Sequence, residues 1–232
     1  MKVKGLSIDV GFTNMGFAFV EVDLSLGGLK SIECIGLGLA QTAKDQGKAV
    51  RVSSDRLRRA QELHEALHEA IGRYGAQVAF AEIPGGNTQS ATAAYSLGIA
   101  VGVLASCSIP IIEVSPMEVK AAVAGRKVQK GASKAEVIAW AEKHWPEAPW
   151  MRATGRATVK RPLAPGSKET ITVSLPAGRL TNDNEHLADA MATVAAGIDT
   201  PAFKQLLAIH QHAIPMSAHQ RPAPRRERVN LL

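Results

Sequence analysis

The stretch Leu6-Ser7-Ile8-Asp9-Val10-Gly11-Phe12-Thr13-Asn14-Met15-Gly16 decides how the rest of the chain reads. Its first half closes an apolar run, Val3 to Val10, of the kind a buried strand needs. Asp9 interrupts that run near its end, and Gly11 and Gly16 bracket a turn. A strand that ends on an acid places negative charge at the rim of a sheet. The plainer alternative is that Asp9 caps the turn Gly11-Phe12-Thr13-Asn14.

Working outward, Phe17 to Val22 alternates as a second strand, Gly27-Gly28 signals a turn, and Leu29 to Leu39 reads as a third strand. Ser53 to Tyr74 is an amphipathic helix with Leu57, Ala60, Leu63, Leu67 and Ile71 on one face and Ser53 or Ser54 as N-cap. A short strand, Gln77 to Glu82, stops at Pro84-Gly85-Gly86. A small-residue helix (Gln89 to Ser106), a fifth strand (Ile109 to Val114) and a short helix from Pro116 to Val123 follow. Beyond the basic loop Gly125 to Gly131 come the helix Ser133 to His144 and, later, Asn184 to Gly197.

The order predicts an α/β protein. Its sheet is five-stranded and mixed, a three-stranded antiparallel meander plus two parallel strands, flanked by helices. Between the last helices lies an insert, 148–180, in which Ala157 to Arg161 and Thr170 to Leu175 pair as a hairpin. Residues 1–200 form the domain. Residues 201–232 are a basic tail with a short helix at Ala202 to His210 and disorder from His219 onward. Gly98 and Gly102 mark a helix face that another helix can approach closely, either inside the core or across a dimer interface.

A chain of 232 residues supports one core of this kind. The N-terminus carries no signal-peptide pattern, and no apolar run approaches the roughly 18 residues of a membrane span. A cytoplasmic protein is expected, with Cys34 and Cys107 as buried free thiols. The net charge of +6 is unevenly placed. The insert carries Arg152, Arg156, Lys160, Arg161, Lys168 and Arg179 against Glu169 alone, and the tail carries Lys204, Arg221, Arg225, Arg226 and Arg228 against Glu227. The rest of the chain is slightly acidic, so the positive segments point to a polyanionic partner, although solubility alone would also explain them.

Parallel neighbouring strands set their C-terminal ends side by side, so Asp9 and Glu82 are placed to meet. In the last helix His186 and Asp189 stand at i and i+3, hence on one face, among Leu187, Ala188, Ala190, Met191 and Val194. Converging carboxylates repel each other unless a cation separates them, and hard oxygen donors suit Mg2+ or Mn2+. A structural pairing of Asp189 with His186 is the alternative.

These residues carry a resemblance. Leu6 to Gly16 is similar to the first motif of the RuvC family of Holliday-junction resolvases. Ala79-Phe80-Ala81-Glu82, followed by Ser96-Leu97-Gly98-Ile99-Ala100-Val101-Gly102-Val103, resembles its second acidic motif and the helix after it. Glu113-Val114-Ser115-Pro116-Met117-Glu118-Val119-Lys120 resembles the elements leading to its basic loop, and His186-Leu187-Ala188-Asp189-Ala190 its last acidic motif. The similarity spans about residues 3–147 and 181–197. It implies an RNase H-like fold, a homodimer, and Mg2+-dependent hydrolysis of DNA phosphodiesters at four-way junctions, with two ions serving an in-line displacement.

Carried over by position, Asp9, Glu82, His186 and Asp189 form the metal-binding quartet. Lys120 and Lys134 match basic residues beside it. Lys134 either stabilises phosphate charge or is a solvated helix-face lysine. Arg126, Lys127 and Lys130 of the basic loop, with Arg152, Arg156, Lys160 and Arg161 of the insert, are the expected DNA contacts. Two departures stand out. Bacterial members carry an aromatic residue three positions past the second acid, where this chain has Gly85, and the insert has no counterpart in compact members. The insert either reaches along a DNA arm or is a mobile loop.

A nuclease of broader range, cutting flaps or RNA–DNA hybrids, shares all these features. A catalytically silent junction-binding protein would not need the carboxylates. An actin-like ATPase also opens on Asp-x-Gly and a meander, but needs a second related domain and a second such loop.

Overall fold

Apolar alternation in the first 41 residues builds the antiparallel meander of β1 (Lys2–Asp9), β2 (Asn14–Asp23) and β3 (Ile32–Gln41). The structure is a computed structural model and describes residues 1–47, 49–83, 90–125, 132–162 and 170–212. The strands β4 (Val78–Glu82) and β5 (Ile111–Val114) add to β1 in parallel, giving the order β3-β2-β1-β4-β5. This is the expected five-stranded mixed sheet.

The two faces of β1 go to different layers. Leu6, Ile8 and Val10 are buried with Leu63 and Leu67 of α1 (Val52–Tyr74) and with Val103 and Leu104 of α2 (Ala91–Ala105). The intervening residues Gly5, Ser7 and Asp9 take the opposite face, because strand side chains alternate. There the sheet is covered by α5 (Asn184–Gly197), whose Leu187, Met191 and Val194 pack on Val20 and Phe80. Buried Ser7 donates its hydroxyl to the Ala190 carbonyl at 2.6 Å, tying β1 to α5 one step below Asp9. Two glycines let the helix lie this close. A Cβ at Gly16 would overlap the His186 carbonyl oxygen, and one at Gly197 would overlap the Phe80 ring.

The helices α3 (Pro116–Ala124) and α4 (Lys134–His144) flank α5, and each begins with a complete capping box, Ser115 with Glu118 and Ser133 with Glu136. In α6 (Pro201–His212), Phe203 is buried with its ring centroid 5.2 Å from that of Phe80, so the core continues past residue 200. The insert forms the expected hairpin from β6 (Ala157–Pro162) and β7 (Thr170–Leu175), a separate two-stranded sheet.

Local details differ from the sequence reading. The third strand starts at Ile32, because Gly28–Ser31 closes a 3-10 turn in which Ser31 Oγ donates to the Gly28 carbonyl at 2.7 Å. The second strand extends back to Asn14. The long helix begins at Val52 with no side-chain N-cap; instead Asp55 in its first turn accepts from the Asp45 amide and pairs with Arg58. Leu57 is 61% exposed, because it falls between the buried positions Asp55 and Arg59 and turns away from the face they share with Leu63 and Leu67. Cys34 and Cys107 are free thiols, as expected, but only half-buried, because Cys34 lies on an edge strand and Cys107 just after a helix end.

Candidate active site

Asp9 ends β1, and the parallel register (Ile8 opposite Ala81) brings Glu82 of β4 next to it at the same end of the sheet. Across from both, α5 presents His186 and Asp189. The expected quartet therefore gathers on one side of the sheet, at one end. Its best-defined contact joins His186 Nδ1 to Asp9 Oδ2 at 2.7 Å. The partner of His186 is thus Asp9 rather than Asp189, and Asp9 serves the helix instead of capping its own turn. The other ring nitrogen, Nε2, meets Asn14 Nδ2 at 3.0 Å. Both ring nitrogens of His186 are thus engaged within the chain.

The electrostatics show an excess of negative charge. Asp189 is pushed up from 3.8 to about 7, first by burial and then by the charges of Asp9, Glu185 and Glu82, against a lowering by His186. Glu82 is likewise raised, by burial first and Asp9 second, with Lys120 opposing. His186 is raised, chiefly by its hydrogen bond to Asp9. Carboxyls pushed toward neutrality by one another are the state that a cation relieves. The donors, hard oxygens, are those that Mg2+ takes. Among the described residues no three His, Cys, Asp or Glu side chains form a group drawn in around a metal position. The fit to a divalent ion is therefore one of donor chemistry.

Lys134, at the first turn of α4, pairs with Glu185, and the pairing raises its ammonium. Lys120 is exposed on α3. In the insert, Arg156 and Arg152 are both exposed, and Arg152 is engaged by Glu142 at 2.6 Å and by the Gly178 carbonyl at 3.1 Å. Lys160 and Arg161 stand opposite Thr172 and Ile171 in the hairpin register. Arg126, Lys127 and Lys130, the Gly85 position and the tail from 213 onward lie outside the described residues.

The sequence reading missed the residues that brace this rim. Arg59 of α1 is buried; it donates from Nε to Thr42 Oγ1 at 2.9 Å and from a terminal nitrogen to Thr13 Oγ1 at 3.1 Å and the Phe12 carbonyl at 3.3 Å. Its guanidinium also lies 3.9 Å from the Phe12 ring centroid. Thr42 closes the same loop by donating its amide to Thr13 and its hydroxyl to Phe12. The signal was present: Arg59 falls four residues before Leu63 and eight before Leu67, a charge on an otherwise apolar stripe.

The strand order and the helix layers on both faces make this an RNase H-like α/β fold. The fold matches that of RuvC. Thermus thermophilus RuvC in complex with Holliday junction substrate aligns with a TM-score of 0.52 and 21% identity, covering 88% of this chain and 96% of that one. A second structure of the same Thermus protein gives 0.52 and 23%, over 89% and 97% of the two chains. A fowlpox virus resolvase with Holliday junction DNA aligns less well, with a TM-score of 0.32 and 13% identity over 58% and 68%. No family model matches the sequence, and no curated protein does. No described helix is long and apolar enough to cross a membrane.

Proposed function

We propose that this chain is a metal-dependent endonuclease that hydrolyses DNA phosphodiesters at branched structures, four-way junctions foremost. One observation carries the reading: three carboxylates, Asp9, Glu82 and Asp189, converge at a sheet end, and burial and mutual repulsion hold two of them above their ordinary protonation range. A fold that keeps such a set without a compensating cation is working against itself. The fold match to a junction-bound resolvase supports the choice of substrate.

Asp9, Glu82 and Asp189 are the residues that would hold Mg2+, with Mn2+ able to replace it. When bound, such ions, two in the full scheme, supply Lewis-acid stabilisation of the phosphate and lower the pKa of a bound water. The chain's own residues do the rest. His186 orients Asp9 through its Nδ1–H. Lys134 exchanges Glu185 for a phosphate oxygen, and Lys120 and Arg156 meet the backbone, a contact that positions DNA without reading sequence. Arg152 instead holds the insert in place.

The active form is a homodimer, so that two sites face the two opposed strands of a junction. The pairing surface is α2, where Gly98 and Gly102 have open space over them and Tyr95 and Val101 are 41% and 39% exposed. Val101→Glu then gives a monomer by sedimentation, whereas an unchanged dimer places the interface elsewhere.

The deciding assay compares a labelled four-way junction, a flap and an RNA–DNA hybrid, with and without Mg2+, for wild type and Asp9→Asn. Cleavage of the junction by wild type alone is expected. Equal cutting by both proteins sinks the site. Binding without cutting by wild type makes the protein a silent junction binder, and preference for flap or hybrid moves the substrate class.

A further inference from the structure

We infer that Asn14 and Gln41 are positioning residues, which fix the ring of His186 so that its Nδ1–H points at Asp9; this rests on the reading of Asp9 and His186 as members of the nuclease site. The two amides face each other across the meander, Asn14 at the start of β2 opposite Gln41 at the end of β3. From Gln41 the hydrogen bonds run in one direction. Gln41 Nε2 donates to Asn14 Oδ1 at 3.2 Å, Asn14 Nδ2 donates to His186 Nε2 at 3.0 Å, and His186 Nδ1 donates to Asp9 Oδ2 at 2.7 Å.

The three assignments constrain one another. Asn14 turns its carbonyl oxygen to Gln41 and its NH2 to the ring, so the ring meets only an N–H. An amide N–H meets an imidazole only at a lone pair, so Nε2 is bare and the single ring proton sits on Nδ1. That proton faces a carboxylate oxygen, which accepts it. Turning the Asn14 amide over would force the Gln41 amide to turn with it. It would also set the bare Nδ1 against Asp9, lone pair to lone pair. The backbone completes the arrangement: Gly16, two residues after Asn14, has no Cβ to push the His186 carbonyl away. Gly16 therefore seats the residue, and Asn14 aims its ring.

None of this is a role for the amides in holding an ion. They act through His186 on Asp9, as groups behind a ligand commonly do, where their loss costs roughly 10–100-fold in activity or affinity.

The test reads the ring directly. Ring 15N shifts of His186 are recorded by long-range NMR correlation in the full chain, without metal or DNA, at one mildly alkaline pH. Wild type is expected to show a single neutral Nδ1–H tautomer. Asn14→Ala is expected to mix the two tautomers, and Asn14→Asp, which offers only acceptors, to protonate Nε2. A wild-type ring with its proton on Nε2, or a ring unchanged by both substitutions, overturns the proposal. In the junction assay, Asn14→Ala is expected to lower kcat about tenfold with KM nearly unchanged, and Gln41→Ala about twofold. A rise in KM at constant kcat overturns it as well. If wild type cuts no DNA while the ring is as described, the nuclease reading falls and the placement of the ring by Asn14 stands.

Discussion

The rim around Asp9 and the insert between α4 and α5 are both charged, yet they are held in opposite ways. At the rim, acids of like sign are packed against a rigid helix and sheet, and their repulsion is left unrelieved within the chain. In the insert, part of the positive charge is consumed internally. Arg152 pairs with Glu142, and Arg179 donates to the carbonyls of Gly155 and Pro176 at 3.0 Å each. A neck of backbone bonds, Ala153 to Arg179, Gly178 to Ala153 and Thr181 to Met151, fastens the hairpin. Asn184, fully buried at the start of α5, bonds both backbone groups of Met151, so the neck is anchored to the same helix that carries His186 and Asp189. Among the described residues no lysine or arginine pairs with Asp9, Glu82 or Asp189 at the rim, and the insert spends some of its charge on its own attachment.

The largest effect expected from breaking this contrast is at the rim. Asp9→Asn should lower junction cleavage by about 10³-fold or more in a single-turnover assay, while binding at fixed salt stays within about twofold. The fold should report the next largest effect. Gly16→Ala puts a methyl group into the His186 carbonyl and should cost about 2–3 kcal/mol in urea denaturation, with cleavage falling alongside.

The third prediction turns on proton linkage. Asp189 ionises near pH 7 in the folded protein against 3.8 in the unfolded chain, so the folded state holds a proton that the unfolded state has released between those values. Its ionisation therefore removes stability as pH rises through that window, and above it the cost is complete. Asp189→Asn should stabilise the metal-free protein by about 2 kcal/mol at pH 8 and hardly at all near pH 4, read by thermal melts. Adding Mg2+ should raise the Tm of wild type more than that of D189N. If D189N is no more stable at pH 8, the repulsion is absent.

The smallest effects separate the two arginines of the insert. Arg156→Ala should reduce the salt dependence of junction binding by about one counterion with the melting temperature unmoved. Arg152→Ala should instead loosen the neck, seen as faster amide exchange at Gly178 and Arg179, with a smaller change in salt dependence. An equal loss of DNA binding from both would erase the distinction.

Much of this was legible in the sequence, and for identifiable reasons. Apolar runs bounded by turn signals located the five strands, and the end of the first run put Asp9 at the rim of the sheet. Spacing put His186 and Asp189 on one helix face. What failed was local where neighbours intervened. Leu57 sits between the buried positions Asp55 and Arg59 and turns away from their face, and the serines proposed as N-cap lie inside the helix, which begins at Val52 with no side-chain cap. Gly98 and Gly102 left packing in the core and packing across an interface both open, and the open space over them removes only the first.

By itself, the sequence determined the order of elements, the acids at two strand ends and the location of the positive charge, because periodicity and composition act over neighbouring residues. Only the tertiary structure decided that His186 belongs to Asp9, that Asn14 and Gln41 stand behind it, that Arg59 braces the turn, and that Arg152 pairs with Glu142. Each of those contacts joins residues distant along the chain, and side chains choose partners only after packing has set which groups lose their water.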